Sequence, residues 1–367
     1  MRILVAPDKF KGSLGATAVA ENIAGGLRQV LPDAEITMQA VADGGEGTAA
    51  AICAAGNGEW DTCDVDDANG TTVGARYCTI DGGERAVLEV SEAVGLWRIA
   101  PGARDVDTAS SFGVGEMLLD AAARDVREVV VGLGGSATND GGFGLARALG
   151  FRFLDSAGEE LSSVASDLVR LSRIVRAAGS LRLPRIIAAA DVRNPLLGER
   201  GATRVFAQQK GARCDQVEVL ENALARLADV VARDLAVDAR DLSGAGAAGG
   251  LGFGLASFCG AELRAGFDVV AEAIGLAAMV DNADVVITGE GRLDAQTLEG
   301  KAPAGVARLA RAAGKRVFAI VGRVVAGAEI FDDVFSLVNT GTSEADALKY
   351  TAELLRIRAA GLGRTIR

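Results

Sequence analysis

Four glycine-containing loops carry most of the polar side chains that could do chemistry in this chain of 367 residues. They occupy residues 7–13, 42–47, 132–142 and 289–294, and each follows an apolar stretch. Glycine lets backbone N–H groups approach phosphate oxygens, and a helix N-terminus adds a favourable positive end. One such loop alone could be a tight turn that needs glycine for a positive φ. Four together indicate a site for a phosphorylated ligand.

The longest loop is expected to hold the phosphates and a metal ion. Its expected phosphate-binding residues are Gly134, Gly135, Ser136, Thr138 and Asn139. Asp140 follows them, and a carboxylate beside dense backbone donors suits Mg²⁺, which prefers oxygen ligands. Asp294 is a second metal candidate on the loop at 289–294. The alternative for these polar side chains is capping of a following helix.

Lysine and arginine side chains near these loops could neutralise the negative charge of a substrate. Lys9 and Lys11 follow the first apolar stretch, where they could hold a carboxylate or a phosphate, and we expect both to be catalytic. Lys301 is expected at a phosphate and Arg292 at the substrate. The alternative is that these side chains lie in solvent or pair with nearby acids, as exposed cations often do.

Other polar residues of the loops are expected to complete the binding site. The expected substrate contacts are Asp8, Ser13, Asp43 and Glu46, and Glu290 is expected near phosphate. Asp43 and Glu46 could act through Mg²⁺ or through substrate hydroxyls, and their alternative is capping of a helix N-terminus.

The general base must be chosen from a reduced set of residue types. The chain has no histidine, which excludes Ser-His-Asp and Cys-His machinery and His-ligated zinc. Asp191 ends the apolar run at residues 185–190 and precedes Asn194 and Pro195. It is therefore expected to point off a sheet edge, and it is our first choice for the base. Glu290 and Asp294 are the alternates.

Alternating strands and helices must bring these loops together. The spacing of Val19, Ile23, Leu27 and Leu31 predicts a helix that Pro32 stops. Further helices are predicted at residues 217–235 and 302–313. Strands are predicted at residues 2–6, 35–41, 72–80, 85–90, 128–133, 185–190, 283–288, 316–321 and 334–338. Strand–helix alternation predicts parallel sheets, in which ligands bind at the carboxyl ends of strands.

The length of the chain and its pattern predict two α/β domains. A single core stops growing at roughly 250–300 residues, and residues 59–90 change to a turn-punctuated pattern typical of antiparallel hairpins. We expect a Rossmann-like parallel-sheet domain built from both termini, residues 1–62 plus 280–367. Residues 63–279 are then an inserted mixed α/β domain.

Other nucleotide-binding classes fit the sequence less well. Gly132-x-Gly134-x-x-Ala137 follows a strand as in a dinucleotide fingerprint, but Gly141 and Gly142 fall where its helix should begin. Glycine costs about 1 kcal/mol at each helical position. A nicotinamide-dependent dehydrogenase of a small hydroxy acid is thus the weaker alternative, with a non-catalytic sugar-acid sensor as a third. No Walker A motif occurs, since Lys301 precedes Ala302.

Composition excludes some partners. A formal net charge of -11 opposes binding to a nucleic-acid backbone, which needs clustered Lys and Arg. The short apolar stretch at residues 3–7 is too short for a signal peptide or a membrane span. Five widely spaced cysteines without a CxxC pair predict reduced thiols. We therefore expect a cytoplasmic protein without membrane or nucleic-acid partners.

Taken together, the loop sequences resemble the bacterial glycerate kinase family, type one, over nearly the whole chain. The segments that carry the resemblance are residues 6–13 (APDKFKGS), 41–48 (VADGGEGT), 132–142 (GLGGSATNDGG), 194–198 (NPLLG), 201–203 (GAT), 209–212 (QKGA), 244–254 (GAGAAGGLGFG), 287–294 (ITGEGRLD) and 297–304 (TLEGKAPA). The resemblance implies ATP-dependent phosphorylation of D-glycerate, with 2-phosphoglycerate favoured over 3-phosphoglycerate as the product. It also implies a magnesium requirement and a two-domain α/β fold with the active site in the cleft. The sequence does not decide between a monomer and a homo-oligomer.

Overall fold

The computed structural model describes residues 1–176, 182–298 and 300–367, and the chain forms two compact units. The terminal unit consists of Met1–Asp43 and Phe267–Arg367, and the inserted unit is Gly44–Gly266. Both chain crossings come earlier than the sequence predicts. Residues 48–66 pack and pair within the inserted unit's sheet, and residues 267–279 form helices of the terminal unit.

The strands and helices below are numbered in chain order. The strands are β1 (Arg2–Val5), β2 (Glu35–Met38), β3 (Glu59–Asp66), β4 (Thr72–Ile80), β5 (Arg85–Glu89), β6 (Glu128–Gly132), β7 (Arg152–Leu154), β8 (Arg173–Val175), β9 (Arg185–Ala190), β10 (Glu262–Ala265), β11 (Val285–Thr288), β12 (Arg292–Leu293), β13 (Arg316–Val321), β14 (Arg323–Val324) and β15 (Asp333–Ser336). The helices are α1 (Ala16–Arg28), α2 (Thr48–Ala55), α3 (Val90–Val94), α4 (Phe112–Ala123), α5 (Phe143–Ala148), α6 (Ala202–Phe206), α7 (Cys214–Leu235), α8 (Ala247–Cys259), α9 (Gly266–Ala273), α10 (Leu276–Asn282), α11 (Ala295–Leu298), α12 (Ala302–Ala312), α13 (Glu344–Lys349) and α14 (Thr351–Ile366).

The terminal unit is built on a parallel sheet with the strand order β2-β1-β11-β13-β15. Ile3 of β1 lies opposite Val285 on one side and Ile36 on the other. This is the flavodoxin-like order of a doubly wound sheet, whose ligands bind at the switch point between its first and third strands. That point lies here between β1 and β11. The prediction of an α/β fold with a parallel sheet is confirmed.

The inserted unit is built on a mixed sheet with the order β10-β9-β6-β5-β4-β3. The four strands from β10 to β5 run parallel, and β4 and β3 follow antiparallel. The central strand β6 is a continuous run of valines buried on both faces, as parallel strands covered by helices require. The antiparallel hairpin predicted within residues 59–90 is confirmed as β3 and β4.

The cysteine prediction is wrong for one pair. Cys53 of α2 and Cys78 of β4 form a disulfide, with their Cα atoms 5.9 Å apart, and Cys63, Cys214 and Cys259 are free thiols. Two cysteines that lie 25 positions apart in sequence become neighbours because α2 packs on β4. Among the described residues, we find no helix with the length and apolar character to cross a membrane.

Candidate functional site

In the terminal unit, Asp8 and Glu290 follow the two strands that flank the switch point. The backbone N–H of Asp8 donates to the carbonyl of Gly289 at 2.8 Å, which ties the ends of β1 and β11 together. The carboxylate of Asp8 accepts from the backbone N–H of Lys9 at 2.6 Å. That of Glu290 accepts from the hydroxyl of Thr297 at 2.6 Å. We call these two buried carboxyl groups the acid pair.

Both members of the acid pair hold protons more tightly than exposed carboxyl groups do. Burial, followed by the negative charge of Asp43, raises the pKa of Asp8 from 3.8 to about 7. Burial also raises the pKa of Glu290 from 4.5 to about 7, and the charge of Asp8 adds to this rise. Lys301 lowers the pKa of both groups. Groups with such perturbed pKa values at a ligand-binding sheet edge are candidates for function.

The predicted cations differ in their surroundings. Lys9 and Lys301 are half-buried, and their charges act on the acid pair. Lys11 is exposed on the same loop. Arg292 is exposed and pairs with Asp294 at 3.2 Å, which is the alternative given for it above.

Ser13 lies in different surroundings from the acid pair. Its hydroxyl donates to that of Thr351 at 2.5 Å, at the start of α14. This contact links the first loop to the helical layer of the terminal unit. The geometry therefore supports a structural role for Ser13 and gives no support to substrate contact.

In the inserted unit, the loop between β6 and α5 is held by close backbone packing. We call residues 133–142 the glycine loop. A Cβ on Gly134 would overlap the Cα of Gly45 and lie 3.2 Å from Oδ2 of Asp191. Only glycine therefore fits at residue 134, and the loop at residues 44–47, the glycine loop and Asp191 meet at one point. Asp191 follows the end of β9, and its role as general base stays a prediction.

Lys210 is a buried cation beneath the glycine loop. Its ammonium group donates to the hydroxyl of Ser136 at 3.1 Å and to the carbonyl of Thr138 at 2.6 Å, and the residue is 4% exposed. Burial lowers the pKa of Lys210 from 10.5 to about 8, against the opposing charges of Asp140 and Asp191. The positive charge of Lys210 thus lies directly against Ser136 and Thr138 of the glycine loop.

Asp140 has a structural use that competes with metal binding. Its carboxylate accepts hydrogen bonds from the backbone N–H groups of Ser111, Gly142 and Gly144 and from the Ser111 hydroxyl, at 2.8–3.1 Å. Both oxygens are therefore engaged at the start of α5. The geometry supports the capping alternative for Asp140 and gives no support to metal binding by it.

The rest of the glycine loop packs on a second glycine-rich segment. The carbonyl of Gly249 accepts from the backbone N–H of Gly141 at 3.1 Å. Gly249 has a φ of +70, and a Cβ there would overlap the carbonyl of Thr138. Asn139 is fully buried and donates from its amide to the hydroxyl of Thr203 at 3.0 Å. The glycines at residues 244–254 therefore support the loop and need not touch a ligand.

Glu89 is a buried acid of this region that no sequence pattern singles out. At the end of β5, its Oε1 accepts from the backbone N–H groups of Gly47 and Ala49 at 3.0 and 2.8 Å. It thereby provides a hydrogen-bond acceptor for the free backbone N–H groups at the N-terminus of α2, next to the exposed side chain of Glu46. Lys210 was missed as an individual residue, although its segment, residues 209–212, was among those that carry the family resemblance. No local pattern marks a single lysine or glutamate as buried.

Comparisons with known proteins agree over the whole chain. A profile of the Glycerate kinase family matches residues 3–367. The chain is 38% identical to a glycerate kinase of Bacillus subtilis strain 168, covering 100% of this chain and 98% of that protein. It is 39% identical to a glycerate 2-kinase of Escherichia coli K12, over 93% of this chain and 91% of the relative. It also resembles a crystal structure assigned as a glycerate kinase 2 from Salmonella typhimurium LT2, with a TM-score of 0.86, 41% identity, and coverage of 100% of this chain and 98% of that chain.

Proposed function

The chain belongs to the glycerate kinase family, and from this premise we propose that it transfers the γ-phosphate of ATP to the 2-hydroxyl of D-glycerate. The observation that carries the proposal is the glycine loop with Lys210 buried beneath it. The name of the Escherichia coli relative, a glycerate 2-kinase, supports 2-phosphoglycerate as the product. Because the reaction consumes ATP, the proposal places the enzyme in the cytoplasm, where a disulfide such as Cys53–Cys78 is rare.

Phosphoryl transfer asks the protein mainly to position two substrates and to neutralise charge on the moving group. The glycine loop offers backbone donors to phosphate at Gly134, Gly135 and Ser136, and Lys210 supplies the positive charge. Because Lys210 is buried and held by two protein acceptors, its charge is fixed in place before ATP binds. Such preorganised charge is worth more than a mobile surface cation.

The chain's carboxylates fit a magnesium ion that is held mainly by ATP. No group of three or more Asp, Glu, His or Cys side chains that could hold a metal occurs among the described residues. Mg²⁺ commonly needs only one or two carboxylates, together with phosphates and waters. Of the two predicted ligands, Asp140 is not retained, because both of its oxygens accept hydrogen bonds. Asp294 is retained, although its Oδ2 is paired with Arg292 at 3.2 Å in the ion pair described above. A bound ion would draw negative charge from the phosphate oxygens.

The proposal assigns the general base to Asp191, which lies beside Gly134 of the glycine loop. A base at this point would accept the proton of the glycerate hydroxyl close to the transferring phosphate. One observation favours Glu290 as an alternative, because a pKa of about 7 suits a base that works near neutral pH. Lys9 is proposed to hold the glycerate carboxylate and Asp43 its hydroxyls, and Lys301 is kept for a phosphate. Arg292, which pairs with Asp294, and Glu46, which lines a pocket of the inserted unit, are not kept as substrate contacts.

A coupled assay of ADP release, run with and without D-glycerate, tests the proposed reaction. ADP should form only when glycerate is present, and NMR of the product should show the phosphate on the 2-oxygen. Asp191→Asn should lower kcat by about 10²-fold or more, as expected for loss of a base. Near-normal kcat in this variant, with loss in Glu290→Gln, would move the base to Glu290. ADP release that ignores glycerate would overturn the proposed function.

A further inference from the structure

A pocket of about 470 Å³ opens in the inserted unit beside the N-terminus of α2. Its volume is within the range of small-molecule sites. Its lining includes both tryptophans of the chain, Trp60 and Trp97, together with Arg76, Glu46, Glu89 and Glu92. We call it the tryptophan pocket. The roles given above to the glycine loop and the acid pair leave this pocket unexplained.

The aromatic side chains of the pocket are unusually accessible. Trp60 is 43% exposed and Trp97 is 63% exposed, although tryptophan is highly buried on average. The guanidinium of Arg76 lies over the Trp60 ring, 4.6 Å from its centroid. The indole N–H of Trp97 donates to the carbonyl of Ser91 at 3.1 Å, which fixes the orientation of its ring. The guanidinium of Arg98 likewise lies over the Trp97 ring, 4.5 Å from its centroid. Each ring is thus held in orientation by an arginine on one face, and a ligand would stack on the other face.

The charge of the pocket selects against anions. Three glutamates and one arginine line it, and a second arginine, Arg98, lies over the Trp97 ring. Both arginines pair with Glu92, at 3.1 and 3.9 Å, so the carboxylates outnumber the guanidinium groups by one. The surplus of carboxylates would repel glycerate or a phosphate group. A neutral, planar ring with N–H donors suits these walls, because it can stack on indole and donate to carboxylate oxygens. Adenine has that chemistry.

The pocket is joined directly to the glycine loop. The segment that precedes Trp97 pairs with the loop: the backbone N–H of Leu96 donates to the carbonyl of Gly135 at 2.8 Å, and that of Ala137 donates to the carbonyl of Val94 at 2.8 Å. Gly95 and Ser136 form an antiparallel bridge between these bonds. A ligand ring on Trp97 would therefore lie next to the backbone that is proposed to hold phosphate.

We propose that the tryptophan pocket binds the purine base of the nucleotide, with the phosphates extending onto the glycine loop. This inference rests on the proposed use of ATP. It adds Trp60 and Trp97 as residues that determine nucleotide affinity. Stacking on an aromatic side chain tolerates different bases, so the carboxylates provide the preference for a base with an exocyclic amine.

Tryptophan emission tests this inference in the unmodified protein, because both fluorophores line the pocket. Titration with adenosine or ADP should quench the emission in a saturable manner. Tripolyphosphate and D-glycerate should leave it unchanged. Tripolyphosphate quenching as strong as that by ADP, or no response to adenosine, would overturn the inference. The titration needs no substitution and therefore does not depend on a variant that folds.

Single substitutions test whether the two tryptophans contribute to the binding of ATP and leave the binding of glycerate unchanged. Trp97→Ala and Trp60→Ala should each raise the KM for ATP about tenfold while the KM for glycerate stays within twofold. Trp97→Phe keeps a ring and should stay within about threefold of wild type. The matched control is Tyr350→Ala, an exposed aromatic residue of the terminal unit, which should change neither constant.

The outcomes distinguish this inference from the proposed function. If both alanine variants keep the wild-type KM for ATP while ADP release still depends on glycerate, the pocket assignment is wrong and the kinase proposal stands. If adenosine quenches the emission but glycerate never stimulates ADP release, the pocket assignment stands and the kinase proposal is wrong.

Discussion

At the scale of single residues, Lys210 combines a positive charge with almost complete burial. We expect Lys210→Met to lower kcat/KM for ATP by about 10²-fold or more, because the positive charge beneath the glycine loop, which is proposed to act on the phosphates, is lost. The KM for glycerate should change much less. Steady-state kinetics with each substrate varied in turn measures the difference.

Two comparisons guard this prediction against a purely structural effect. Lys349→Met changes an exposed lysine on α13 and should leave the kinetics unaltered. Circular dichroism should show that Lys210→Met keeps its secondary structure. Wild-type kcat/KM in Lys210→Met would remove the residue from the phosphate site.

The acid pair predicts a pH-dependent stability. Asp8 has a pKa of about 7 in the folded protein, above its ordinary 3.8, so between these values the folded state binds more protons than the unfolded state. The free energy of unfolding should therefore fall as the pH rises from about 4 through 7. Asp8→Asn removes this effect and should be more stable than wild type by about 1–4 kcal/mol at pH 8, with little difference near pH 4.

Thermal unfolding at several pH values measures this change. Asp241→Asn serves as the control for loss of a carboxylate, because Asp241 is exposed, and its effect on the melting temperature should be small. A stabilisation by Asp8→Asn that does not grow between pH 5 and pH 8 would contradict the assigned pKa. Glu290→Gln should behave in the same way as Asp8→Asn, because Glu290 also has a pKa of about 7.

At the scale of elements, two glycines provide a matched test of the glycine loop. Gly134→Ala should abolish most activity and lower stability, because its Cβ would overlap the Cα of Gly45. Gly25→Ala lies within α1 with no atom within 4 Å of its Cβ and should stabilise the protein by about 0.5–1 kcal/mol. The melting temperature and kcat of both variants are measured. If Gly134→Ala keeps the melting temperature and kcat of Gly25→Ala, the glycine loop can move to accept a Cβ at residue 134.

The disulfide between Cys53 of α2 and Cys78 of β4 predicts how many free thiols the protein has. Titration of the unfolded, unreduced protein should detect three thiols, from Cys63, Cys214 and Cys259, and five after reduction. The double variant Cys53→Ala/Cys78→Ala should lose about 3 kcal/mol of stability, which is typical for a disulfide that closes a loop of this size. Five thiols without reductant would restore the prediction of reduced cysteines and favour a reducing compartment.

The sequence predicts the bounds of strands and helices better than it predicts which strands pair with one another. The bounds predicted for the strands at residues 72–80, 185–190 and 316–321 match β4, β9 and β13, because each is an apolar or alternating run between turn residues. The first helix was predicted to continue to Leu31, but α1 ends at Arg28, because a helix commonly ends before the residue that precedes a proline. The flavodoxin-like strand order had no local signal, since β1 pairs with β11 from the far end of the sequence.

The same limit applies to the candidate site. The glycine loop was found because glycine is costly outside turns, and Asp191 because it ends a strand. Lys210 and Glu89 could not be singled out, because their burial depends on contacts with residues distant in sequence, such as Ser136 and Gly47. The alternative roles of Asp140 could be weighed only once its four hydrogen-bond donors were located.

At the scale of the whole molecule, the two units differ in how their residues are distributed along the chain. The inserted unit is one continuous stretch, Gly44–Gly266, whereas the terminal unit joins Met1–Asp43 to Phe267–Arg367. In the terminal unit's sheet, β1 lies between β2 and β11 and is buried on both sides. A strand made early therefore depends on a partner made much later.

This arrangement constrains the order of events during synthesis on the ribosome. Domains generally fold as units as they emerge, so the inserted unit can complete its sheet once Gly266 has left the exit tunnel. Until residues 285–288 follow, the apolar residues Ile3, Leu4 and Val5 have no neighbour on one edge. An unpaired apolar edge is a template for aggregation. The nascent amino-terminal segment should accordingly be a chaperone client for most of translation, while a nascent chain stalled after Gly266 already holds a protease-resistant inserted unit.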